Sequence, residues 1–178
     1  MNLWAIRHTK TEVQEGICYG QSDVGLAETS IYDLEKAVAS FNNQKFDIIY
    51  SSPLIRCAIL AQHIAQGQEI IYDSRLKELN FGQWELIAWN DIFNTPYGKH
   101  WMDNYIETPC PDGESYMQLF FRIQDFYNEI LLKHTQDNVL LVTHSGCIIA
   151  FHSLLLKITP EVAFKFHRPD FGQIIKLL

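Results

Sequence analysis

The sequence predicts an α/β fold built around a mostly parallel central sheet. Short apolar runs of the kind that form buried strands alternate with longer segments whose apolar residues recur at helical spacing. Basic residues also follow the ends of several of these runs, and open α/β sheets bind their ligands at the carboxyl ends of strands. We therefore expect an α/β protein with a ligand site at one edge of its sheet.

The composition limits the class of partner. The 178 residues suit a single domain over 1–178, and the net charge of −7 argues against a basic surface for nucleic acid or membrane. No apolar run approaches the roughly 18 to 20 residues of a membrane span, and no secretory signal is apparent. The four cysteines form no CxxC pair, so we expect neither a metal site nor disulfides. These features predict a cytoplasmic protein whose anionic ligand, if it has one, is bound by a few focused cations.

The first predicted strand is the apolar run from Leu3 to Ile6, which leads into Arg7 and His8. An arginine is rarely buried unless an anionic group pairs with it. Arg7 beside His8 at the end of a core strand therefore indicates an anion site with a titratable group next to it. The alternative is a strand that ends at the surface with both side chains solvated.

A long loop follows this strand. The segment from Thr9 to Leu26 is rich in Gly, Ser, Asp and Gln, and a loop of that length is usually functional or mobile. Apolar residues then recur at helical spacing from Glu28 to Phe41, which predicts a helix that Asn42-Asn43 ends.

A second strand and helix come next. The strand covers Phe46 to Tyr50, and Ser52 is suited to be the N-cap of a helix whose first residue is Pro53. This helix is expected to run to about Gln66, and Glu69 to Tyr72 forms a short third strand.

An aromatic segment extends from Leu79 to Tyr105 and holds three of the four tryptophans. We expect two short helices broken near Pro96, and we interpret residues 79–112 as a cap or lid insertion. Two explanations of the aromatic rings stay open. They pack on one another as a core, or they stack on an aromatic part of a ligand.

The remainder of the chain continues the alternation. A long helix is predicted from Glu114 to His134, and the clearest buried strand runs from Asn138 to Thr143. An apolar helix from Cys147 to Leu156, a short helix at Thr159-Pro160 and a last strand from Gln173 to Leu177 complete the fold.

Three basic groups fall at equivalent places in this scheme. Arg7-His8, Arg56 and His144 each follow the carboxyl end of a predicted strand. Because parallel strands end at the same edge of a sheet, we expect these side chains to meet on one rim.

Five segments carry the motifs of a known family in that family's order. They are Arg7-His8-Thr9 with Thr11, Ser51 to Ala58, Leu76 to Glu85, Gly113-Glu114-Ser115, and Val142 to Gly146. Through these motifs nearly the whole chain resembles the histidine phosphatase superfamily, in its phosphoglycerate-mutase-like branch. The resemblance implies a three-layer α/β/α sandwich around a mostly parallel sheet, and an enzyme that requires no metal and no cofactor.

The resemblance also implies a role for each basic group. His8 is expected to attack phosphorus and to hold the phosphoryl group covalently, which divides one difficult step into two. Arg7 and Arg56 are fork-shaped cations suited to bidentate phosphate contacts. With His144 they are expected to offset the charge that develops on the phosphoryl oxygens.

A carboxylic acid must supply a proton to the leaving oxygen. By motif position Glu78 is that acid, and Glu85 is the competing candidate because it lies in the same loop. The residues expected to bind the substrate are Gln14, Tyr19, Gln21, Ser22, Glu85, Glu114 and Ser145.

The chain departs from the family pattern in four places. Thr9 and Ser145 each stand where glycine is usual, Gln14 stands for a common asparagine, and Asp112 replaces a glycine before the Gly-Glu-Ser turn. Ser145 after a strand could also suggest a serine-hydrolase elbow. That motif requires glycine where this chain has Thr143, and it leaves the arginines unexplained.

A narrower resemblance concerns the substrate. The segment Gly16 to Asp23 is similar to the α-ribazole phosphatases of cobalamin biosynthesis, which implies α-ribazole 5′-phosphate or adenosylcobalamin 5′-phosphate as the small-molecule substrate. We expect a monomer or a homodimer. A broad-specificity sugar-phosphate phosphatase is the alternative. A mutase is disfavoured because the chain is short and shows no second basic cluster. A catalytically inactive phosphate-binding or protein-interaction module is disfavoured because all the side chains expected to act in catalysis are present, namely Arg7, His8, Arg56, Glu78 and His144.

Overall fold

A computed structural model of the chain describes residues 1–39, 41 and 44–178. The strands in these residues are β1 (Asn2–Arg7), β2 (Ile48–Ser51), β3 (Ile70–Tyr72), β4 (Asn138–Thr143) and β5 (Ile174–Lys176). The α-helices are α1 (Ser30–Ala39), α2 (Ile55–Ala65), α3 (Trp89–Asn94), α4 (Pro96–Asn104), α5 (Tyr116–Lys133), α6 (Ser145–Leu156) and α7 (Pro160–Phe166). The strands form one sheet in the order β3-β2-β4-β1-β5.

The pairing register brings the ends of three strands to one edge of the sheet. Strand β4 pairs in parallel with both β1 and β2, with Arg7 opposite Thr143 and Ser51 opposite Val142. The residues that follow these strands therefore leave the sheet side by side. Strand β5 runs antiparallel to β1. The predicted α/β class with a mostly parallel sheet is confirmed.

Helices cover both faces of the sheet. Successive side chains of a strand point to opposite faces, so Leu141 joins Phe126 of α5 in one core while Leu140 joins Leu34 of α1 and Leu60 of α2 in the other. Burying a side chain of this size contributes about 1.5 to 3 kcal/mol. The three-layer α/β/α arrangement is thus the one in which both faces of β4 are buried, and it is confirmed.

Helix α2 starts later than the sequence predicts. The interpretation of Ser52 as N-cap and Pro53 as first helical residue is wrong, because the helix begins at Ile55. Ser52 Oγ lies 2.9 Å from His144 Nε2 instead. The cap comes from the long loop, where Asp23 Oδ1 accepts a hydrogen bond of 2.7 Å from the Ile55 N–H.

Other boundaries differ by smaller local effects. Helix α5 begins at Tyr116 rather than at Glu114, because Ser115 forms a capping box with the first turn. Helix α1 begins at Ser30. Its predicted end at Asn42-Asn43 lies outside the described residues.

The aromatic segment forms the two predicted short helices, α3 and α4, and Thr95 Oγ1 caps the second of them by accepting from the Gly98 N–H at 2.9 Å. Its rings pack on one another. Trp84 and Trp101 meet edge to face with centroids 5.3 Å apart, and Trp89 stacks on Trp101 at 6.2 Å. Trp84 and Trp101 are only 7% and 6% exposed. These contacts favour the core explanation of the rings over stacking on a ligand.

Over the described ranges no single helix is long and apolar enough to span a bilayer, and α6 with α7 meets that length and composition only as a pair bent by 117°. The four cysteines are free thiols, and each is buried.

Candidate active site

His8 and His144 face each other at the carboxyl edge of the sheet, with ring centroids 5.1 Å apart. His8 is 3% exposed, and its Nδ1 lies 2.7 Å from the Thr9 carbonyl oxygen. A carbonyl oxygen only accepts, so Nδ1 carries the hydrogen and the lone pair of the neutral ring lies on Nε2. Burial, and then the charge of Arg56, lower the pKa of His8 well below its ordinary value of 6.5. The ring is therefore neutral and able to act as a nucleophile near pH 7.

His144 follows β4 and is fully buried. Its Nε2 lies 2.9 Å from Ser52 Oγ and 3.4 Å from Cys57 Sγ. Burial, followed by the charges of Arg56 and His8, lowers the pKa of His144 well below 6.5. Ser52 and Cys57 come from the loop after β2 and from α2, so they fix the ring of His144 from the neighbouring strand's end.

Arg56 lies in the first turn of α2 and has no exposed surface. Its Nη1 donates to the Ser22 carbonyl at 2.9 Å, and its Nη2 donates to the Gly20 carbonyl. The Tyr19 ring lies over the guanidinium, with the centroid 5.4 Å from Cζ. In the described part of the chain no hydrogen-bond acceptor reaches the buried Nε of Arg56.

Arg7 directly precedes His8 in the chain and is half-buried. Its Nη1 donates to the Pro169 carbonyl at 2.9 Å, and its Cζ lies 3.7 Å from the ring centroid of Phe171. Burial lowers the pKa of Arg7 from its ordinary value. Between residues the structure describes, neither Arg7 nor Arg56 forms an ion pair with a carboxylate. The two positive charges are therefore available to an anion.

Glu78 is held at the start of α6. Its Oε2 accepts from the Gly146 N–H at 3.1 Å, and its Oε1 accepts from the Leu79 N–H at 2.9 Å. A Cβ on Gly146 would lie 2.2 Å from Glu78 Oε1, so this approach requires glycine at position 146. Arg122 supports the same loop from α5, because its Nη2 donates to the Glu78 carbonyl at 2.9 Å.

Glu85 occupies a different environment. Its two carboxylate oxygens accept from the N–H groups of Gly20, Gln21, Ser22 and Phe81 at 2.8 to 3.1 Å. Burial alone would raise the pKa of Glu85, but these amide hydrogen bonds lower it below its ordinary value. An ionised carboxylate with every acceptor position occupied is a poor source of a proton.

Of the other residues predicted to bind the substrate, some lie at the site and some do not. Gln21 lies by the site, where its Nε2 donates to the Glu78 carbonyl at 3.0 Å, and Ser145 Oγ is buried with no partner in the described residues. Glu114 instead forms an ion pair of 2.9 Å with Arg122. Gln14 is exposed, and its backbone carbonyl accepts from the Ile17 N–H at 3.3 Å. Among the described residues, neither Gln14 nor Glu114 forms a hydrogen bond or ion pair with His8 or His144.

Sequence reasoning missed the segment after α7. Pro169 and Phe171 hold Arg7, and the Phe171 ring also lies 5.5 Å from the His8 ring. No motif or periodicity signals these residues, because they meet Arg7 only through the pairing of β1 with β5. Asp112 adopts a left-handed φ of 54°, so the turn before Glu114 keeps a glycine-like conformation without the glycine.

Among the described residues, no group of three side chains from His, Cys, Asp and Glu could hold a metal ion. What the edge of the sheet does carry is two buried histidines and two arginines that lack carboxylate partners. This arrangement defines an α/β protein whose sheet edge is suited to bind a strongly charged anion.

The chain belongs to the histidine phosphatase superfamily, whose branch 1 family model matches residues 3–177. Enzymes of this superfamily are phosphatases or mutases, and the similar proteins support a phosphatase. A protein of Hydrogenobacter thermophilus provisionally named phosphoserine phosphatase 2 is 31% identical over 96% of this chain and 86% of its own length. The adenosylcobalamin/α-ribazole phosphatase of Escherichia coli is 23% identical over 97% of this chain and 87% of its own.

A solved structure carries the same fold. The α-ribazole phosphatase of Shigella flexneri matches with a TM-score of 0.90 at 22% identity, over 98% of this chain and 88% of its own. At this identity the likeness extends to the fold alone.

Proposed function

We propose that the protein is a metal-independent phosphomonoesterase that acts through a phosphohistidine on His8. The observation that carries the proposal is the position of His8. A neutral imidazole, with Nδ1 committed to the Thr9 carbonyl, lies beside His144 and is influenced by the charges of Arg56 and Arg7, which have no carboxylate partner among the described residues. The arginines supply the charge neutralisation for which other phosphatases use metal ions.

In the first step the lone pair of His8 Nε2 attacks phosphorus. The N–P bond forms as the bond to the ester oxygen breaks, and that oxygen leaves with the electron pair and takes a proton from Glu78. Arg7, Arg56 and His144 bind the phosphoryl oxygens, where charge develops. The hydrogen bond from Nδ1 to Thr9 stabilises the positive charge on the phosphorylated ring.

In the second step the Glu78 carboxylate takes a proton from water. The water oxygen attacks phosphorus, the N–P bond breaks, and its electron pair returns to His8. Glu78 is proposed for this role over Glu85 because the Glu85 oxygens are occupied by four amide N–H groups.

The substrate is proposed to be a small phosphomonoester, with two candidates. The loop Gly16 to Asp23 and the relative from E. coli support α-ribazole 5′-phosphate or adenosylcobalamin 5′-phosphate. The relative that is 31% identical supports O-phosphoserine. Because the aromatic rings at 81–105 pack on one another, they give no added support for an aromatic leaving group.

Rapid quench with radiolabelled ester tests the chemistry. We expect a phosphoenzyme that is stable to base and labile to acid, and none in His8→Ala. A wild-type enzyme that turns over without such a species would contradict the covalent route. Absence of turnover on every phosphomonoester would favour the inactive binding module.

Specificity requires a comparison of kcat/KM for α-ribazole 5′-phosphate, O-phosphoserine, 3-phosphoglycerate, fructose phosphates and p-nitrophenyl phosphate. A single preferred ester would select between the two candidates. A flat profile would instead support the broad-specificity alternative and exclude both.

A further inference from the structure

We propose that Glu85 is a positioning residue that sets Arg56 in the phosphate site through the loop segment Gly20–Ser22. The proposal rests on the proposed function, in which Arg56 binds the phosphoryl group. It gives Glu85 a role that differs from proton donation and from direct contact with the substrate.

The first observation is how Glu85 uses its oxygens. Oε1 accepts from the N–H groups of Gln21 at 2.8 Å and Phe81 at 3.1 Å, and Oε2 accepts from those of Gly20 at 2.8 Å and Ser22 at 3.1 Å. Three consecutive amides thus point at one carboxylate. Charge-assisted hydrogen bonds of this kind are about twice as strong as neutral ones, so they fix the backbone of this segment.

The second observation is on the other side of the same segment. The carbonyls of Gly20 and Ser22 accept from the two terminal nitrogens of Arg56. The Gly20–Gln21 peptide group therefore lies between the carboxylate and the guanidinium, because its N–H donates to Glu85 and its carbonyl accepts from Arg56, so its dipole is aligned with both charges. Arg56 is held without a direct carboxylate partner, which would compete with the phosphate for the same nitrogens.

The third observation is that the backbone on both sides of this contact, at Gly20 and at Leu86, has little conformational freedom. A Cβ on Gly20 would lie 1.9 Å from the Leu79 carbonyl oxygen and 2.8 Å from Glu85 Oε1. Leu86, which follows Glu85, adopts a left-handed φ of 64° although it is 57% exposed. Its N–H donates to the Cys18 carbonyl at 2.7 Å. A leucine in this conformation is strained, and the strain is retained where the chain turns to aim Glu85 at the loop.

The test compares Glu85→Gln with Glu12→Gln. Glu12 lies in the same loop and is exposed, and its carboxylate accepts from one amide, the Gly25 N–H at 2.9 Å. A glutamine at 85 presents an NH₂ group to two N–H donors, whereas a glutamine at 12 keeps its acceptor. For Glu85→Gln we expect kcat/KM to fall about 100-fold and the Kd for inorganic phosphate to rise about tenfold. Glu12→Gln should change neither by more than about twofold.

Comparing esters with different leaving groups distinguishes a positioning role of Glu85 from proton donation by Glu85. A lost proton donor slows alkyl phosphates far more than p-nitrophenyl phosphate, whose leaving group needs no proton. A displaced Arg56 slows both equally. An equal loss with weakened phosphate binding supports the proposal, and a loss confined to alkyl phosphates with unchanged phosphate binding overturns it.

A double-mutant cycle with Arg56→Ala gives a second readout. In that background Glu85→Gln should cause no further loss, and additive losses would overturn the proposal. If Glu85→Gln does not fold, Glu85→Asp keeps the charge but retracts the oxygens, and it should still weaken phosphate binding. Unchanged phosphate affinity in that variant would overturn the proposal. Failure of the proposed function is distinguishable, because it would appear in the wild type as turnover without a trapped phosphoenzyme.

Discussion

His8 combines a hydrogen-bonded Nδ1 with burial and two cationic neighbours, and together these keep its ring neutral. Burial and then Arg56 lower its pKa below 6.5. A histidine with a lowered folded-state pKa stays unprotonated until the pH falls below its ordinary range. Its protonation is more favourable in the unfolded chain, so the free energy of unfolding decreases as the pH falls from 6.5 toward the folded-state value.

The pH dependence of His8 is the first prediction. We expect the NMR titration midpoint of its ring to lie below 6.5, and the acid limb of kcat/KM to follow that midpoint. Arg56→Gln removes the second cause of the shift and should move the midpoint upward. A wild-type midpoint at or above 6.5 would contradict the neutral-nucleophile account.

The contact between Gly146 and Glu78 gives the second prediction. In Gly146→Ala the new methyl group displaces the Glu78 carboxylate, whose Oε1 would lie 2.2 Å from the added Cβ. We expect kcat for alkyl phosphates to fall about 100-fold, with a much smaller loss for p-nitrophenyl phosphate. Ser153→Ala is the control because it alters a side chain of the same helix about two turns beyond Gly146. Equal losses for both esters would argue against Glu78 as the proton donor.

At the scale of elements, the site is assembled by loops that meet at strand ends. Helix α2 presents Arg56, and its N-terminus is capped by Asp23 of the loop after β1 rather than by a residue of its own segment. The sequence could not reveal this cap, because Ser52-Pro53 forms a better local signal for a helix start. Ser52 is drawn away by its contact with His144, 92 positions further along the chain.

The Asp23 cap is tested by Asp23→Ala. Loss of the acceptor for the Ile55 N–H should lower the free energy of unfolding by about 1 kcal/mol, as measured by urea denaturation. Asp23→Asn keeps an oxygen acceptor and should lose clearly less. If both variants are as stable as the wild type, the loop does not cap α2.

The segment between α7 and β5 supplies the aromatic face on Arg7. In Phe171→Ala the cation–π contact at 3.7 Å is lost, which is worth about 1 kcal/mol for a partly buried pair. We therefore expect KM for phosphate esters to rise about fivefold. Phe166→Ala, which removes a ring that is 67% exposed, serves as the control. An unchanged KM in Phe171→Ala would show that Phe171 does not position Arg7.

At the scale of the whole molecule, the sheet register explains what the sequence could predict. Apolar runs mark β1, β2 and β4, and parallel pairing then brings Arg7, His8 and His144 to one edge. Arg56 follows β2 in the same way. These positions were predictable because each depends on a local pattern and on one general rule of α/β sheets.

The remaining features depend on contacts between distant segments. Phe171 contacts Arg7 only after β5 pairs with β1. Arg122, a residue of α5, donates to the backbone of the Glu78 loop. The sequence leaves the roles of the aromatic rings at 81–105 open for the same reason, since spacing places rings on helices but does not say what they face. Their mutual packing is a property of the folded core.

The proposed reaction passes through a covalent phosphohistidine on His8 that Glu78 helps to hydrolyse. Its most direct test is burst kinetics of Glu78→Gln with p-nitrophenyl phosphate, followed by peptide mapping at neutral or basic pH. The good leaving group departs without an acid, but hydrolysis lacks its base, so we predict a burst of p-nitrophenol near one equivalent and a phosphoryl group on the His8 peptide. Linear release without a burst, or a phosphoryl group on another residue, would contradict the account.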